Sequence, residues 1–481
     1  MLSEIVYAVP CFLVIVYHEF TMVQIKISKT RVKVGDVYTK LLLLILEHQF
    51  AIIKQKGGNV SLGKVIFHID VNSAFLSWEA VYRLYHLGGS VDLREQVSAV
   101  GGDMAMRHGI ILAKSIPAKR YKIQTGETIL EAQRKCPNLL LVPPNYGLYE
   151  RCSAAFMNIL RQYSPVVEQY SIDEAFVDMT GTEGLWGEPV TAANRIRNQI
   201  REELGFTVNV GVSENKLLAK MASDFQKPDR VHTLWHREIK EKMWSLPVSD
   251  LFFVGRATAK KLLNMGIRTI GELAHAQPDI LKSHLKKHGE VIWLFANGQD
   301  VSVVQKEPPA NKGYGNSTTI AFDVCDASTA KLVLLALAET VGTRLRAAGV
   351  RAEVIAVGIK TYDLQYASHQ MTLNYATNIT IEIHRCACQL FDQLWDGTAI
   401  RHLGIHTSRI RDHQDMRQLD MFDTTDYEKL EKVDATVDRI RRRYGNDAVM
   451  RAAFAGSPID HMSGGISREK RTVDYKKVKV D

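Results

Sequence analysis

The sequence predicts a multidomain α+β protein with a ferredoxin-like sheet, and three observations predict it. A length of 481 residues exceeds what one core organises, at roughly 100–200 residues per domain. From Lys64 onward, short runs with strand periodicity alternate with runs of helical periodicity. After a stretch rich in Pro and Gly, a second set of the same kind begins.

The first strand is Val65-Ile66-Phe67-His68-Ile69-Asp70. Val65, Phe67 and Ile69 face one side, while Ile66, His68 and Asp70 face the other, the expected polar and substrate-facing side. Asn72 to Tyr85 follows as an amphipathic helix with Phe75, Trp78, Val81, Tyr82 and Tyr85 at three- and four-residue steps. Val166–Gln169 and Ala175–Met179 read as two strands meeting around the acidic turn Ser171-Ile172-Asp173-Glu174. A helix over Thr191–Leu204, a strand over Thr207–Val212 and a helix over Lys216–Asp224 complete this first unit. Leu246 to Leu273 fits a helix-hairpin-helix around Gly266.

Gln305 to Asn316, with Pro308, Pro309, Gly313 and Gly315, has linker chemistry. Beyond it lie a strand over Ser317–Val324, a helix over Ala327–Ala348, strands near Ala352–Tyr362 and Ser368–Thr377, a helix near Ile379–Leu394 and a strand near Ile400–Ser408. A last helix carries Leu430, Val433, Val437, Ile440 and Tyr444 on one stripe, and the tail from Gly456 is expected to be disordered.

Composition sets limits. With 46% apolar and 24% charged residues the chain is ordinary globular material, so disorder belongs at its ends. A net charge of +8 favours a polyanionic partner, because Lys and Arg neutralise phosphates and release counterions. Cys11, Cys136, Cys152, Cys325, Cys386 and Cys388 are scattered, and Cys386-Ala387-Cys388 lacks the spacing of zinc or thioredoxin-like pairs. They are expected to be reduced core residues of a cytoplasmic protein. The apolar runs Ile5–Tyr17, broken by Pro10, and Leu41–Leu46 fall short of the roughly 18–20 residues of a membrane span. Glu4 and the lack of a small-residue cleavage site disfavour a signal peptide. Residues 1–63 read as an N-terminal extension of the kind a misplaced start codon produces, and no membrane partner is expected.

The chemistry resides in two acidic clusters about a hundred residues apart, Asp70 at a strand end and Asp173-Glu174 in a turn. Neighbouring strand residues face opposite sides, so only a distortion lets Asp173 and Glu174 serve one site. Carboxylates converging from separate segments are what two metal ions, roughly 3.5–4 Å apart, require for in-line phosphoryl transfer.

Asp70-Val71-Asn72-Ser73-Ala74-Phe75, Tyr170-Ser171-Ile172-Asp173-Glu174-Ala175-Phe176 and Val210-Gly211-Val212-Ser213-Glu214-Asn215-Lys216-Leu217-Leu218-Ala219-Lys220 together resemble the Y-family translesion DNA polymerases over residues 64–455. The resemblance implies a right-hand polymerase: a ferredoxin-like palm (64–82 and 140–236), fingers (83–139), a helical thumb with the hairpin (237–304), a linker (305–316) and a little finger (317–412). A clamp-binding peptide region (413–425), a C-terminal helix (426–455) and a tail (456–481) follow. It further implies that Asp70, Asp173, Glu174 and the Val71 carbonyl hold two Mg²⁺, that Phe75 is a steric gate against a ribose 2′-hydroxyl, and that Lys119 and Lys227 contact a dNTP triphosphate. A triphosphate's charge beside three carboxylates independently calls for cations with oxygen ligands.

Gly255, Arg256 and Lys260 of the hairpin would hold primer–template phosphate through backbone amides and positive helix termini. Lys331, Arg344, Arg346 and Arg351 are the candidate little-finger contacts to the duplex backbone, with solvated surface charge the alternative for each. Gln418, Leu419, Met421 and Phe422, within Gln418-Leu419-Asp420-Met421-Phe422, resemble the peptide that binds a bacterial sliding clamp, a tether that raises effective concentration on DNA. The enzyme is expected to act as a monomer on DNA and dNTPs in repair and damage tolerance.

The chain departs from the pattern in three places. Ile116 stands for a tyrosine, Lys119 for an arginine and Phe253 for a first hairpin glycine. The segment from Gly101 to His108, which includes Arg107, looks inserted; Gly101-Gly102-Asp103 suggests a cyclic-dinucleotide synthase, but Met104-Ala105 replaces the Glu-Phe that should follow. A catalytically silent clamp-bound adaptor and a nucleotidyl cyclase are the alternative functions. The intact acids weigh against the first, and the hairpin and clamp-like peptide against the second.

Overall fold

The computed structural model describes residues 63–102, 109–412, 425–462 and 464. The segment with Arg107 and the peptide Gln418 to Phe422 lie outside the described residues, as do residues 1–62.

The palm is a five-stranded sheet ordered β5 (Val167–Gln169), β6 (Glu174–Asp178), β1 (Ile66–Val71), β7 (Val208–Ser213) and β8 (Val231–Thr233). β1 runs antiparallel to both β6 and β7, which places Asp70 opposite Glu174 on one side and Asn209 on the other. Val65, Phe67, Ile69 and Val71 share a core with Phe156 and Leu160 of helix Tyr146–Tyr163 and with Ile196 and Ile200 of helix Pro189–Leu204. Each such fully buried side chain contributes roughly 1.5–3 kcal/mol.

The opposite face differs from the sequence expectation. Ile66 and His68 do not look out on substrate but are buried beneath helix Lys216–Asp224, where Ile66 joins Ala219 and His68 Nδ1 lies 2.8 Å from Ser223 Oγ. Only the Asp70 end of the strand reaches the cleft. Gly211 allows this packing, since a Cβ there would sit 1.9 Å from the Ala219 carbonyl oxygen. Asn215 caps the helix by accepting from the Leu218 amide at 2.8 Å. Leu217, Leu218, Met221 and Ala222 belong to the thumb core, so one helix is wedged between the catalytic sheet and the thumb.

The fingers centre on a three-stranded sheet, β3 (Ile111–Lys114), β2 (Ser98–Gly101) and β4 (Leu140–Val142). β4 pairs parallel to β2, with Val142 opposite Val100, so residues 140–142 belong to the fingers rather than the palm. Parallel pairing with a strand far back along the chain, beyond an intervening strand and helices, decides this, and the local pattern of three residues does not carry it. Arg94 donates from Nη1 to the Gly205 carbonyl at 2.8 Å, joining fingers to palm. In the thumb the hairpin helices are Arg256–Asn264 and Ile270–His275, and Gly266 takes a positive φ of 83° in the turn.

The little finger is a four-stranded sheet, β11 (Tyr366–Thr377), β10 (Val350–Thr361), β12 (Ile400–Asp412) and β9 (Gly315–Val324), covered by helices Ala327–Ala347 and Thr380–Leu394. Gly315 and Asn316 already pair with His406 and Ile405, which shortens the linker.

The last helix, Tyr427–Tyr444, reverses its expected orientation. Val433 and Tyr444 are exposed, whereas Asp434, Asp438 and Arg441 are buried. Arg346 donates from Nε to Asp438 at 2.6 Å and from Nη1 to Asp434 at 3.1 Å; Arg351 pairs with Glu431 at 3.0 Å; Arg441 and Arg451 both meet Glu339. The expectation that Arg346 and Arg351 reach DNA is therefore corrected, because their charge is committed to anchoring this helix. Lys331 likewise pairs with Asp392 at 2.8 Å. Arg344 is exposed, donates to the Gly315 carbonyl at 2.7 Å and lies over Tyr314. The start of the tail is also corrected: Ile459 enters the little-finger core and His461 is buried. Of the cysteines Cys136 is buried but Cys325 is exposed.

Arg346→Ala should destabilise the little finger by about 3–5 kcal/mol, because it removes the buried cation shared by Asp434 and Asp438 and leaves them only Arg451 at 3.5 Å and the hydrogen bonds from Thr380 and Thr343. Denaturant unfolding checks this, and Arg344→Ala as control should change it by under about 1 kcal/mol.

Candidate active site

The β1, β6 register brings the acids together, and the bend before β6 supplies the distortion. Ser171 Oγ accepts from the Asp173 and Glu174 amides at 3.2 and 3.0 Å and donates to Asp173 Oδ1 at 2.6 Å. The Val71 amide donates to the Asp173 carbonyl at 3.0 Å, tying the bend to the strand end. Asp173 thus leaves the strand path just before Glu174, its neighbour, opposes Asp70.

A cleft of about 410 Å³ opens over Asp70 and Asp173, while Glu174 does not line it. Its walls include Asp70, Val71, Phe75, Ile116, Lys119, Asp173 and Lys227, so segments from palm and fingers meet as the spacing implied. Phe75 is half-buried and stacks on Tyr149 at 4.5 Å with planes 9° apart, with Tyr146 edge-on at 5.9 Å. Lys119 ends a one-turn helix whose start Ser115 caps, accepting from the Ala118 amide at 3.1 Å; Ile116 is 48% exposed beside it. Lys114, Arg94 and Thr125 also line the cleft, and nothing in the motif spacing marked them. Gly255 caps the first hairpin helix in the thumb, with Arg256 and Lys260 exposed along it. Phe253 has φ +74° and is exposed, so the chain holds a phenylalanine in the conformation a glycine takes readily.

The acids are countered by lysines. Lys227 pairs with Asp70 and, at 2.8 Å, with Asp224. Lys220 donates to both Glu174 oxygens at 3.0 Å, while His68 Nε2 stops 3.7 Å from Glu174 Oε2. Lys220, His68, Ser223 and Asp224 escaped the sequence analysis as site residues, although a Lys216, Lys220 four-residue step beside paired acids was a signal in plain view.

Burial pushes the Asp70 carboxyl up, Lys227 draws it down and Glu174 and Asp173 push it up again, leaving it at about 6. Burial also raises Glu174, but His68 and Lys220 outweigh it and hold the carboxyl down at about 2. Burial lowers the Lys227 ammonium, yet Asp70 and Asp224 more than offset it and leave it above its ordinary value. Desolvation lowers His68, which favours the neutral ring.

Among the described residues no group of three or more His, Cys, Asp or Glu side chains is set as a closed metal cage. The acids lean on lysines instead. Their chemistry nevertheless fits Mg²⁺: all donors are oxygens, and the raised Asp70 carboxyl, due first to burial and then to repulsion from Glu174 and Asp173, is a group that a bound cation would favour in its charged form.

Because the folded chain binds the Asp70 proton more tightly than the unfolded chain, this group adds stability at low pH that is lost as pH rises through about 6. Glu174 has the opposite sign, adding stability that is lost only as pH falls toward about 2. In chelator-treated protein the melting temperature should therefore show a component that declines as pH rises through about 6, and Asp70→Asn should remove it. Scanning calorimetry across that interval checks this.

The five-stranded palm, separate fingers sheet, hairpin thumb and four-stranded little finger define a Y-family polymerase fold. A solved Y-family DNA polymerase chimera superposes with a TM-score of 0.61, covering 72% of this chain and 99% of that one at 21% identity. The chain belongs to the impB/mucB/samB family, whose model matches residues 69–224, whose C-terminal domain model matches 311–421, and whose associated IMS family HHH motif matches 236–267. It is 44% identical to DNA polymerase IV of Clostridium acetobutylicum over 82% of this chain and 98% of that protein. It is 39% identical to DNA polymerase IV of Acetivibrio thermocellus over 81% and 96% respectively.

Proposed function

We propose that this chain is a template-directed DNA polymerase that performs low-fidelity translesion synthesis by two-metal nucleotidyl transfer. One observation carries the reading: Asp70 stands opposite Glu174, with Asp173 in the adjoining bend, beneath a cleft walled by Phe75, Lys119 and Lys227. The family membership and the DNA polymerase IV relatives support the same reaction.

Asp70, Asp173, Glu174 and the Val71 carbonyl would hold two Mg²⁺, which supply charge stabilisation to the attacking primer 3′-hydroxyl and the departing pyrophosphate. The chain's own part is positioning and electrostatics. Ser171 fixes the Asp173 carboxylate through its 2.6 Å hydrogen bond. Lys227, which neutralises Asp70 in the free chain, offers its ammonium at the cleft to an entering triphosphate. Lys119 adds a second charge from the fingers, as a point charge without Arg's planar fork. Phe75, held flat on Tyr149, is the wall beside the sugar.

Primer extension with Mg²⁺ on undamaged and abasic templates tests the reading. Extension of both supports it, and binding of primer–template without any extension would favour the silent adaptor.

Hairpin amides at Gly255, with Arg256 and Lys260, would hold duplex phosphate, and exposed Arg344 is the remaining little-finger candidate. Gln418 to Phe422 would dock on a sliding clamp. Deleting that peptide should leave short-template synthesis intact and abolish stimulation by the clamp; persistent clamp stimulation in primer extension would refute the assignment. We place the enzyme in the cytoplasm, beside the DNA and dNTPs it would use, as a monomer. Among the described residues no helix is long and apolar enough to cross a membrane.

A further inference from the structure

We propose that Lys220 is a positioning residue that braces the Glu174 carboxylate and links its setting to the thumb. The proposal rests on the polymerase reading above and adds a part that the metal ligands and triphosphate contacts do not include.

Three contacts surround the ammonium. It donates to both oxygens of Glu174 at 3.0 Å, a forked contact that fixes the plane of the carboxylate as well as its position. It lies 5.7 Å from the Tyr170 ring centre and 5.5 Å from that of Phe252. Two aromatic faces beside a cation restrain it and exclude water, which strengthens its hold on the carboxylate.

The mounting is rigid. Lys220 lies on helix Lys216–Asp224, whose carbonyl at Lys220 accepts from Ser223 Oγ at 2.7 Å, and the same hydroxyl meets His68 Nδ1 at 2.8 Å. Asn209 Nδ2 donates to the Ser223 carbonyl at 3.0 Å, and Gly211 lets β7 press against the helix. The helix therefore cannot shift without disturbing β1 and β7, the strands that carry and flank Asp70.

Phe252 belongs to the thumb, three residues before the hairpin glycine Gly255. Its amide donates to Met221 Sδ at 3.4 Å and its ring stacks near Phe295 at 6.4 Å. The segment that leads into the hairpin thus touches the lysine that holds a catalytic carboxylate. Seating of duplex phosphate at the hairpin and orientation of Glu174 share one mechanical path, Phe252 to Lys220 to Glu174.

The test uses the full chain with primer–template and dNTP, comparing wild type with Lys220→Met, Lys220→Arg and Phe252→Leu. Lys220→Met should lower the single-turnover rate on the order of 10²-fold, the cost of a misplaced reacting group. The dNTP half-saturation should stay within about threefold, since triphosphate contacts are untouched. Mn²⁺ binding without nucleotide, followed by electron paramagnetic resonance, should be kept or tightened, because a competing cation has been removed from beside Glu174. Lys220→Arg should recover most of the rate, and Phe252→Leu should lose about fivefold or more with primer–template affinity unchanged.

A Lys220→Met rate within about threefold of wild type overturns the proposal. So does a loss accompanied by failed Mn²⁺ or primer–template binding, or by failure of arginine to recover it, since these mark a collapsed site or a DNA contact. An unchanged rate in Phe252→Leu overturns the link to the thumb. A wild-type chain that extends no primer overturns the polymerase reading instead, so the two failures are told apart.

Discussion

Asp173→Ala is expected to reduce Mg²⁺-dependent primer extension on the order of 10²–10³-fold or more, the scale of deleting one preorganised electrostatic group at a reacting centre. The structure gives the substitution little other route to an effect. Asp173 sits in a bend held mainly through its main chain: its own amide and that of Glu174 donate to the Ser171 hydroxyl, its carbonyl accepts from the Val71 amide, and alanine loses only the bond from that hydroxyl to Asp173 Oδ1. The main-chain contacts survive in alanine, so the Asp70, Glu174 register should stand. Removing a negative charge near the place of DNA phosphate should leave primer–template affinity unchanged or tighter. Gel-based extension paired with fluorescence anisotropy reads both quantities. Full activity in the variant would refute the acid site, and lost DNA binding would point to a folding defect.

Phe75→Ala should raise ribonucleotide incorporation about 10–100-fold relative to wild type, with deoxynucleotide use much less affected. A forced steric overlap of one added group in a packed site costs about 1–3 kcal/mol, and the ratio of specificity constants converts that cost into discrimination. The proposed gate is held so that it cannot yield: the ring lies 4.5 Å from Tyr149 in parallel contact, with Tyr146 and Trp78 at 5.9 Å. Alanine also removes part of this cluster, so Phe75→Leu, which keeps apolar bulk but shortens the wall, should give an intermediate change. Sugar discrimination unchanged in both variants would show that Phe75 is only a packing residue.

Much of the palm was legible because its signals are local. The alternation around Phe67 and Ile69 and the helix Lys216–Asp224 follow from residue periodicity, and the structure places the helix at the predicted bounds. Motif spacing likewise gathered Asp70, Asp173, Phe75, Lys119 and Lys227 around one cleft. The faces of elements were less legible. The stripe Leu430, Val433, Val437, Ile440 and Tyr444 predicted an apolar contact for the last helix, yet its charged residues are the ones that dock. Asp434 and Asp438 can be buried because Arg346 comes from a distant helix to pair with them, and a helical pattern read alone contains no such partner.

By itself, then, the sequence determined most elements of the palm and little finger, their order and the residue types of a nucleotidyl-transfer site, since strand and helix periods and motif spacing are properties of neighbours along the chain; the fingers strands and helix Tyr146–Tyr163 were not among its readings. Only the tertiary structure decided where charge is spent. It turned Arg346 and Arg351 from expected DNA contacts into anchors, moved residues 140–142 into the fingers, buried His68 and placed Lys220 against Glu174. The physical reason is that an ion pair or a sheet edge depends on a partner far along the chain, and the cost of burying a charge is decided by which partner the fold delivers.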